Sequence, residues 1–251
     1  MCILYMELHV ITNGDRIRKN NVSKSLHTYS IPFIFHEFER QKNGKLGCFM
    51  SHINLYRYAQ KHNMDYIWIA EDNLVNSYDA ISTVIWNDIH TFLKTEQKWL
   101  ILFFGGWFQH VVSYKSTSYS SIFKTNTLHG LSCYMIHKRL YSYVLDHFEN
   151  YSHMDIDCYL LTCYKNQAYI LYPILFYRDC SIYSTNTQHI PNTWINLWRS
   201  FWHQPALLQI QENLIRNGWM TYSFNIFLIL ILLCFIFCIC YGLYKGVRMF
   251  L

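Results

Sequence analysis

The chain has 251 residues and a formal net charge of +5, with 52% hydrophobic and 15% charged residues. This length suits one domain with a sizeable core plus short additions, and the low charge content excludes a disordered chain. The 21 basic residues are scattered along the sequence, which argues against a nucleic-acid partner bound by a continuous basic stripe.

Strand-like and helix-like segments alternate through most of the chain. Short apolar runs predict strands, and apolar residues at three- and four-residue spacing predict helices. The predicted strands are 4–12, 32–39, 66–70, 99–104, 131–136 and 168–174. The predicted helices are 45–62, 79–93, 138–148 and 157–164. This alternation indicates an α/β domain over residues 1–204 with a mostly parallel central sheet flanked by helices.

Glycines mark the ends of two predicted strands. Asn13-Gly14-Asp15 predicts a turn after the first strand, and Gly105-Gly106 predicts the end of the fourth.

The C-terminal region differs in character from the rest. Residues 226–243 carry no charge over a length of about 18 residues, which is close to the length that crosses a hydrocarbon core. We expect a juxtamembrane segment over 205–223 that includes a short helix after Pro205, and a transmembrane helix over 224–244. A short basic tail, 245–251, would follow.

The N-terminus bears on how this chain would sit in a membrane. It has no basic segment followed by a long apolar run, so it does not read as a secretory signal. A single C-terminal anchor contacting membrane lipid, with the large domain in the cytosol, is the simplest topology. Lys245 and Arg248 favour the opposite orientation because basic residues tend to stay on the cytoplasmic side.

The nine cysteines give no metal-binding pattern by spacing. Three of them lie in the expected membrane span, and the other six contain no C-x-x-C pair. Reduced, mostly buried thiols are therefore expected, and a zinc site is not.

Two adjacent acids, Glu71 and Asp72, follow the apolar run Ile67–Ala70. Ligands of open α/β sheets bind beyond the carboxyl ends of the strands, which is where these acids are expected. Neighbouring carboxylates repel unless something compensates them, and a Mg²⁺ or Mn²⁺ ion that holds a diphosphate would do so. A solvated strand end without function is the alternative. Asn73 stands where a third acid would complete the group.

The segment 44–75 resembles glycosyltransferase family 25, which contains lipopolysaccharide-biosynthesis and collagen hydroxylysine galactosyltransferases. That family shows a G-x-x-G-C-x-x-S-H helix start followed by an apolar strand that ends in Glu-Asp-Asp. The matching residues are Gly44, Gly47, Cys48, Ser51, His52, Glu71 and Asp72. The stretches 99–106 and 129–145 are similar to later family segments, with Gly130 and Tyr134 in place.

The resemblance implies a GT-A-type fold that transfers a hexose, with inversion, from a nucleotide-sugar donor to a hydroxyl on a glycan, lipid or protein. It implies that Asp155 or Asp157 is the catalytic base, and that Glu71 takes part in catalysis by orienting Asp72. It assigns Asp72 to a Mn²⁺ or Mg²⁺ ion or to the donor ribose, and Asn73 to the same ion. The substrate-binding residues that we expect are Asn13, Arg16, Ser51, His52 and Gly130.

Several residues also have readings without function. Arg16 can be a solvated turn residue, Ser51 can cap a turn, and His52 can be held by local hydrogen bonds. His189 is a candidate late metal ligand or a loop histidine without a role.

The sequence departs from the family pattern at two places. Asn73 replaces the third acid, and His137 lies near a position where the family has serine. An amide carbonyl can still bind a hard cation but brings no charge, so the metal is weakly held or dispensable. A catalytically decayed, membrane-anchored protein that binds nucleotide sugars or glycans is the competing hypothesis. A domain that only makes protein contacts is a third.

Overall fold

A mixed sheet forms the centre of the molecule. The computed structural model describes residues 6–77, 81–107, 114–125, 129–164, 167–172, 174–178 and 230. The strands are β1 Leu8–Thr12, β2 Phe33–Glu37, β3 Tyr66–Glu71, β4 Leu74–Asn76, β5 Ile101–Trp107, β6 Tyr114–Ser116, β7 Ile122–Thr125, β8 His129–His137, β9 Ala168–Leu171 and β10 Phe176–Arg178. The helices are α1 Arg16–Thr28, α2 Gly44–Lys61, α3 Thr83–Thr95, α4 Lys138–His147 and α5 Ile156–Tyr164, with a 3-10 helix at Phe148–Tyr151. The predicted α/β class is confirmed.

The strand order places β3 inside the sheet. Neighbouring strands follow the order β2-β1-β3-β8-β5-β9-β7-β6. β1 pairs in parallel with β2 and β3, and β5 pairs in parallel with β9. β8 lies antiparallel between β3 and β5, so these two strands point the same way. The carboxyl ends of β1, β2 and β3 therefore meet at the same end of the sheet.

β3 is buried on both faces of the sheet, as its apolar run indicated. Ile67 and Ile69 join a core with residues of α2, α4 and α5, while Trp68 and Ala70 join a second core with residues of α1 and α3. Alternate strand residues point to opposite faces, which explains this division. Burying each large apolar side chain contributes about 1.5–3 kcal/mol, so the end of β3 at Glu71 is firmly positioned.

Helix α1 was not predicted from the sequence pattern. Its buried residues are Arg18, Val22 and Leu26, so one of the three inward positions is charged and the apolar periodicity is weak. The helix begins after Asp15, whose side chain accepts hydrogen bonds from the backbone N–H groups of Ile17 at 2.9 Å and Arg18 at 3.1 Å. The predicted turn at 13–15 is thus the entry to a helix.

Some predicted strand ends were wrong. β5 does not stop before Gly105 but continues to Trp107, because its pairing with β8 continues there. The missing side chain of Gly105 also lets β10 approach. A Cβ on Gly105 would lie 2.7 Å from the carbonyl oxygen of Phe176, which is closer than atoms can pack. β9 ends at Leu171 rather than at 174. The short strands β4, β6, β7 and β10 were missed because three or four residues carry too little periodicity.

Among the described residues, no helix has the length and apolar character needed to cross a membrane. The expected span over 224–244, apart from Leu230, lies outside the described residues, as do the segment after Pro205 and His189. The anchor and its orientation stay predictions.

Candidate active site

A cleft opens at the carboxyl ends of β1 and β3. Its walls come from the residues that follow these strands, from the loop before α2, from the first turns of α2, and from Arg178 on β10. This is where open α/β sheets bind ligands. The predicted residues that line it are Asn13, Ser51, His52, Glu71, Asp72 and Asn73.

Glu71 ends β3 and faces the cleft with a partly exposed carboxylate. Its Oε2 accepts a hydrogen bond from Asn73 Nδ2 at 3.3 Å. Burial alone would raise the pKa of Glu71, but the neighbouring His52 and the charge of Arg178 outweigh it and the pKa is lowered. Glu71 is therefore an ionised carboxylate at neutral pH.

Asp72 is only 4% exposed and forms an ion pair, in which Arg18 Nη1 lies 2.8 Å from Asp72 Oδ1. Burial raises the pKa of Asp72, while the Arg18 guanidinium and the Thr12 hydroxyl oppose that rise. The second oxygen, Oδ2, is buried and has no hydrogen-bond partner in the described part of the chain. One oxygen of this carboxylate is thus paired with a cation, and the other is left unpaired within the described residues.

The side-chain amide of Asn73 has a hydrogen-bond partner at its nitrogen and none at its oxygen among the described residues. It is buried, and its Nδ2 donates to Glu71 as described above. Its Oδ1 is buried without a hydrogen-bond partner among the described residues. Buried polar atoms without partners are uncommon in native proteins and call for an explanation.

These two oxygens, Asp72 Oδ2 and Asn73 Oδ1, fit the metal that the sequence suggested. Mg²⁺ and Mn²⁺ prefer oxygen ligands, and such ions commonly use one or two protein groups together with substrate phosphates. The net charge that the pair offers is small, because Arg18 already balances Asp72. A weakly held ion is what this arrangement would support.

Helix α2 brings Ser51 and His52 to the cleft. Ser51 Oγ donates to the carbonyl of Gly47 at 2.8 Å, which satisfies its hydroxyl within the helix. His52 is fully buried, and its Nδ1 lies 2.7 Å from the Tyr134 hydroxyl, which in turn lies 2.7 Å from the hydroxyl of Tyr56. This network ties the helix to β8 and fixes the plane of the imidazole ring.

The loop before α2 packs closely on the helix. A Cβ on Gly47 would come within 3.2 Å of Gln41 Cβ, so a small residue is favoured there. Asn43 caps the helix by accepting a hydrogen bond from Leu46 N at 3.2 Å. The family-like glycine spacing therefore serves this local packing.

The structure places Arg18, and not Arg16, in the cleft. Arg16 is exposed in the first turn of α1 and does not line the cavity. Asn13 does line it, although its Oδ1 also accepts a hydrogen bond from Asp15 N at 3.1 Å. Sequence reasoning missed Arg18, and a prediction of α1 would have found it, since positions 18, 22 and 26 share one helix face.

Arg178 was also missed. It lies on β10 and lines the cleft. No local pattern marked it, because its position depends on a strand of three residues paired with β4 and β5.

Asp155, Asp157 and Gly130 lie together near the start of α5, outside the lining of the cleft. Asp157 accepts hydrogen bonds from Gly130 N at 3.1 Å and from Cys158 N at 2.9 Å. Asp155 is exposed, and its Oδ2 lies 3.3 Å from Lys45 Nζ on α2. The contacts of Asp157 are those of a residue that joins β8 to α5.

His137, near the position where the family has serine, caps α4. Its Nδ1 accepts a hydrogen bond from Arg139 N at 3.1 Å.

Comparison with known families gives a match over more than half of the chain. The family model of glycosyltransferase family 25 (LPS biosynthesis protein) matches residues 13–160. This confirms the resemblance found in residues 44–75. No curated protein sequence matches the chain significantly.

Several solved structures are similar at low sequence identity. The protein A197 from STIV is 11% identical over 66% of this chain and 80% of its own, with a TM-score of 0.41. A glycosyltransferase involved in glycosylation of the major capsid of PBCV-1 is 12% identical over 69% of this chain and 93% of its own, with a TM-score of 0.40. An inositol-1-phosphate CTP transferase from T. maritima is 9% identical over 81% and 96%, with a TM-score of 0.39.

Proposed function

The chain belongs to glycosyltransferase family 25, and from this premise we propose that it transfers a hexose, galactose or glucose, from a UDP-linked donor to a hydroxyl group. The observation that carries the proposal is the cleft at the end of β3, where Glu71, Asp72 and Asn73 face the same space as Arg18 and Arg178. A GT-A-type arrangement and inversion at the transferred sugar are parts of the same proposal.

The donor diphosphate would be held by charge. Arg18 and Arg178 both line the cleft, and guanidinium groups bind phosphate oxygens with two hydrogen bonds. A Mn²⁺ or Mg²⁺ ion held by Asp72 Oδ2 and Asn73 Oδ1 would add charge stabilisation of the leaving diphosphate when bound. Arg18 is already paired with Asp72, so this ion pair also holds the guanidinium in place.

The transfer itself requires a base near the acceptor. The acceptor oxygen forms a bond to the anomeric carbon as the bond from that carbon to the diphosphate breaks, and the hydroxyl proton passes to a carboxylate. We assign the role of proton acceptor to Glu71, because its carboxylate is ionised and lines the cleft. Asp155 is the second candidate, since it is exposed and linked through Lys45 to the first turn of α2.

The test is turnover of UDP-glucose and UDP-galactose by the full chain with Mn²⁺ present, measured as UDP release. We expect Asp72→Asn to lower turnover by roughly 10²–10³, as the loss of a preorganised charge at a reacting phosphate does. The control is Asp146→Asn, the same change at an exposed position on α4. Equal turnover in the parent and in Asp72→Asn would contradict the proposal.

A binding protein that has lost catalysis is the second candidate. The observation in its favour is the small negative charge left for a metal. Asn73 is a neutral amide whose Nδ2 donates to Glu71, and the charge of Asp72 is balanced by Arg18. This candidate predicts UDP-sugar binding by calorimetry without UDP release. A domain that makes only protein contacts predicts neither.

A further inference from the structure

A second group of metal-ligating atoms lies in the cleft beside Asp72 and Asn73. Cys48 Sγ, a nitrogen of His52 and a carboxylate oxygen of Glu71 lie within 4.8 Å of one another. We propose that Cys48, His52 and Glu71 bind a divalent transition metal of the zinc type, with the fourth coordination position open to the cleft.

Helix geometry brings two of the ligands together. Cys48 and His52 are four residues apart on α2, so they project from the same face one turn apart. The third ligand comes from the end of β3, with Glu71 Oε1 at 4.0 Å from Cys48 Sγ and 3.9 Å from His52 Nε2. Metal bonds of about 2.0–2.3 Å hold tetrahedral ligand atoms slightly closer than this, so only a small contraction is needed.

The unsatisfied nitrogen of His52 is the strongest sign of a ligand. Its side chain is fully buried, and within the described ranges Nε2 has no hydrogen-bond partner. A buried polar atom left unpaired destabilises the fold, and a bound metal would supply the missing partner. His52 also forms part of the wall of the cleft, so a metal at Nε2 would lie at the base of that cleft.

The surrounding residues orient both ligands for this role. Tyr134 lies 2.7 Å from His52 Nδ1, and if Nδ1–H donates to that hydroxyl, the lone pair of Nε2 points toward the site. Histidine ligands nearly always donate their other ring nitrogen in this way. Asn73 holds Glu71 Oε2, which leaves Oε1 facing Cys48 and His52. An aspartate at position 73 could not donate this hydrogen bond.

The chemical type of the ligands separates this site from the oxygen pair of Asp72 and Asn73. Thiolate and imidazole select zinc-like ions, while oxygen pairs suit Mg²⁺ or Mn²⁺. Three protein ligands and an open position are the pattern of a zinc site that can bind a further ligand. As the sulfur–metal bond forms, the Cys48 thiol releases its proton to solvent, so affinity should rise with pH.

Cysteine spacing did not predict this site, because its third ligand, Glu71, lies on β3, after the end of the helix that carries Cys48 and His52. Its test is separate from that of the proposed transfer reaction, since metal binding can be measured without a sugar donor. Zinc on Glu71 Oε1 and proton acceptance by the same carboxylate would exclude one another.

The experiment is a titration of the full chain, freed of metal with a chelator, with Co²⁺ and then Zn²⁺. We expect a thiolate-to-cobalt absorption band in the near ultraviolet that Zn²⁺ abolishes. Cys48→Ser should remove that band while circular dichroism stays that of the parent. The matched control is Cys158→Ser, a partly buried cysteine beside Asp155 and Asp157 at the start of α5, which should keep the band.

A second variant tests the site without removing a ligand. Tyr134→Phe deletes the acceptor for His52 Nδ1–H and should weaken Zn²⁺ binding by about 10–100-fold while the cobalt band keeps its shape. If the parent shows no band, or if the band persists in Cys48→Ser, the proposal is overturned. Either result leaves the UDP-release experiment, and hence the proposed transferase function, unaffected.

Discussion

Two acidic groups in this protein look alike in sequence and differ in structure. Glu71 and Asp72 follow a strand that is buried on both faces, and they line a cleft with two arginines. Asp155 and Asp157 sit at the start of α5, where one pairs with an exposed lysine and the other accepts backbone hydrogen bonds. Burial, and the buried oxygens without partners among the described residues, distinguish the group at the end of β3 from the group at the start of α5.

The largest expected difference between the two acidic groups is in the rate of transfer when the proposed proton acceptor is removed. Glu71→Gln keeps the size and hydrogen-bonding capacity of the side chain but cannot take a proton, so we expect it to lower the transfer rate by roughly 10²–10⁴. Asp155→Asn, the matched change in the other group, should change the rate by less than about threefold, as expected for an exposed ion pair. Single-turnover transfer with saturating donor measures both. A large loss in Asp155→Asn alone would identify Asp155, just before α5, as the general base.

The sequence was sufficient to predict the end of β3 and its acids, because a continuous apolar run that stops at Glu71 has one plausible cause. It was also sufficient for α2, whose apolar spacing is regular. It did not reveal Arg18, since a buried arginine removes the apolar signal of α1 at the position that matters. Nor did it reveal Arg178 or the group of Cys48, His52 and Glu71, because those depend on pairing between distant segments.

The second test compares two ion pairs. Arg18 and Asp72 have side chains 9% and 5% exposed, whereas Lys45 and Asp155 are 42% and 54% exposed. Arg18→Met leaves Asp72 buried without its partner, so we expect a loss of about 3–5 kcal/mol in the free energy of unfolding. Lys45→Met should cost about 0–1 kcal/mol, because its pair is solvated and screened. Urea denaturation gives both values, and similar costs would mean that Asp72 does not depend on Arg18.

The smallest expected effect comes from restoring the acid that the family pattern carries. Asn73→Asp removes the donor to Glu71 and adds a carboxylate at a buried position beside two others, so without metal we expect a loss of about 1–3 kcal/mol in unfolding free energy. Mn²⁺ should recover most of that loss, since the added carboxylate strengthens the oxygen pair with Asp72. Asn150→Asp, the same change at an exposed position, should stay within about 0.5 kcal/mol and be indifferent to Mn²⁺. Thermal unfolding with and without Mn²⁺ measures the difference. If Mn²⁺ does not stabilise Asn73→Asp, the oxygen pair is not a metal site, and the arginines of the cleft are left as the source of positive charge for a donor phosphate.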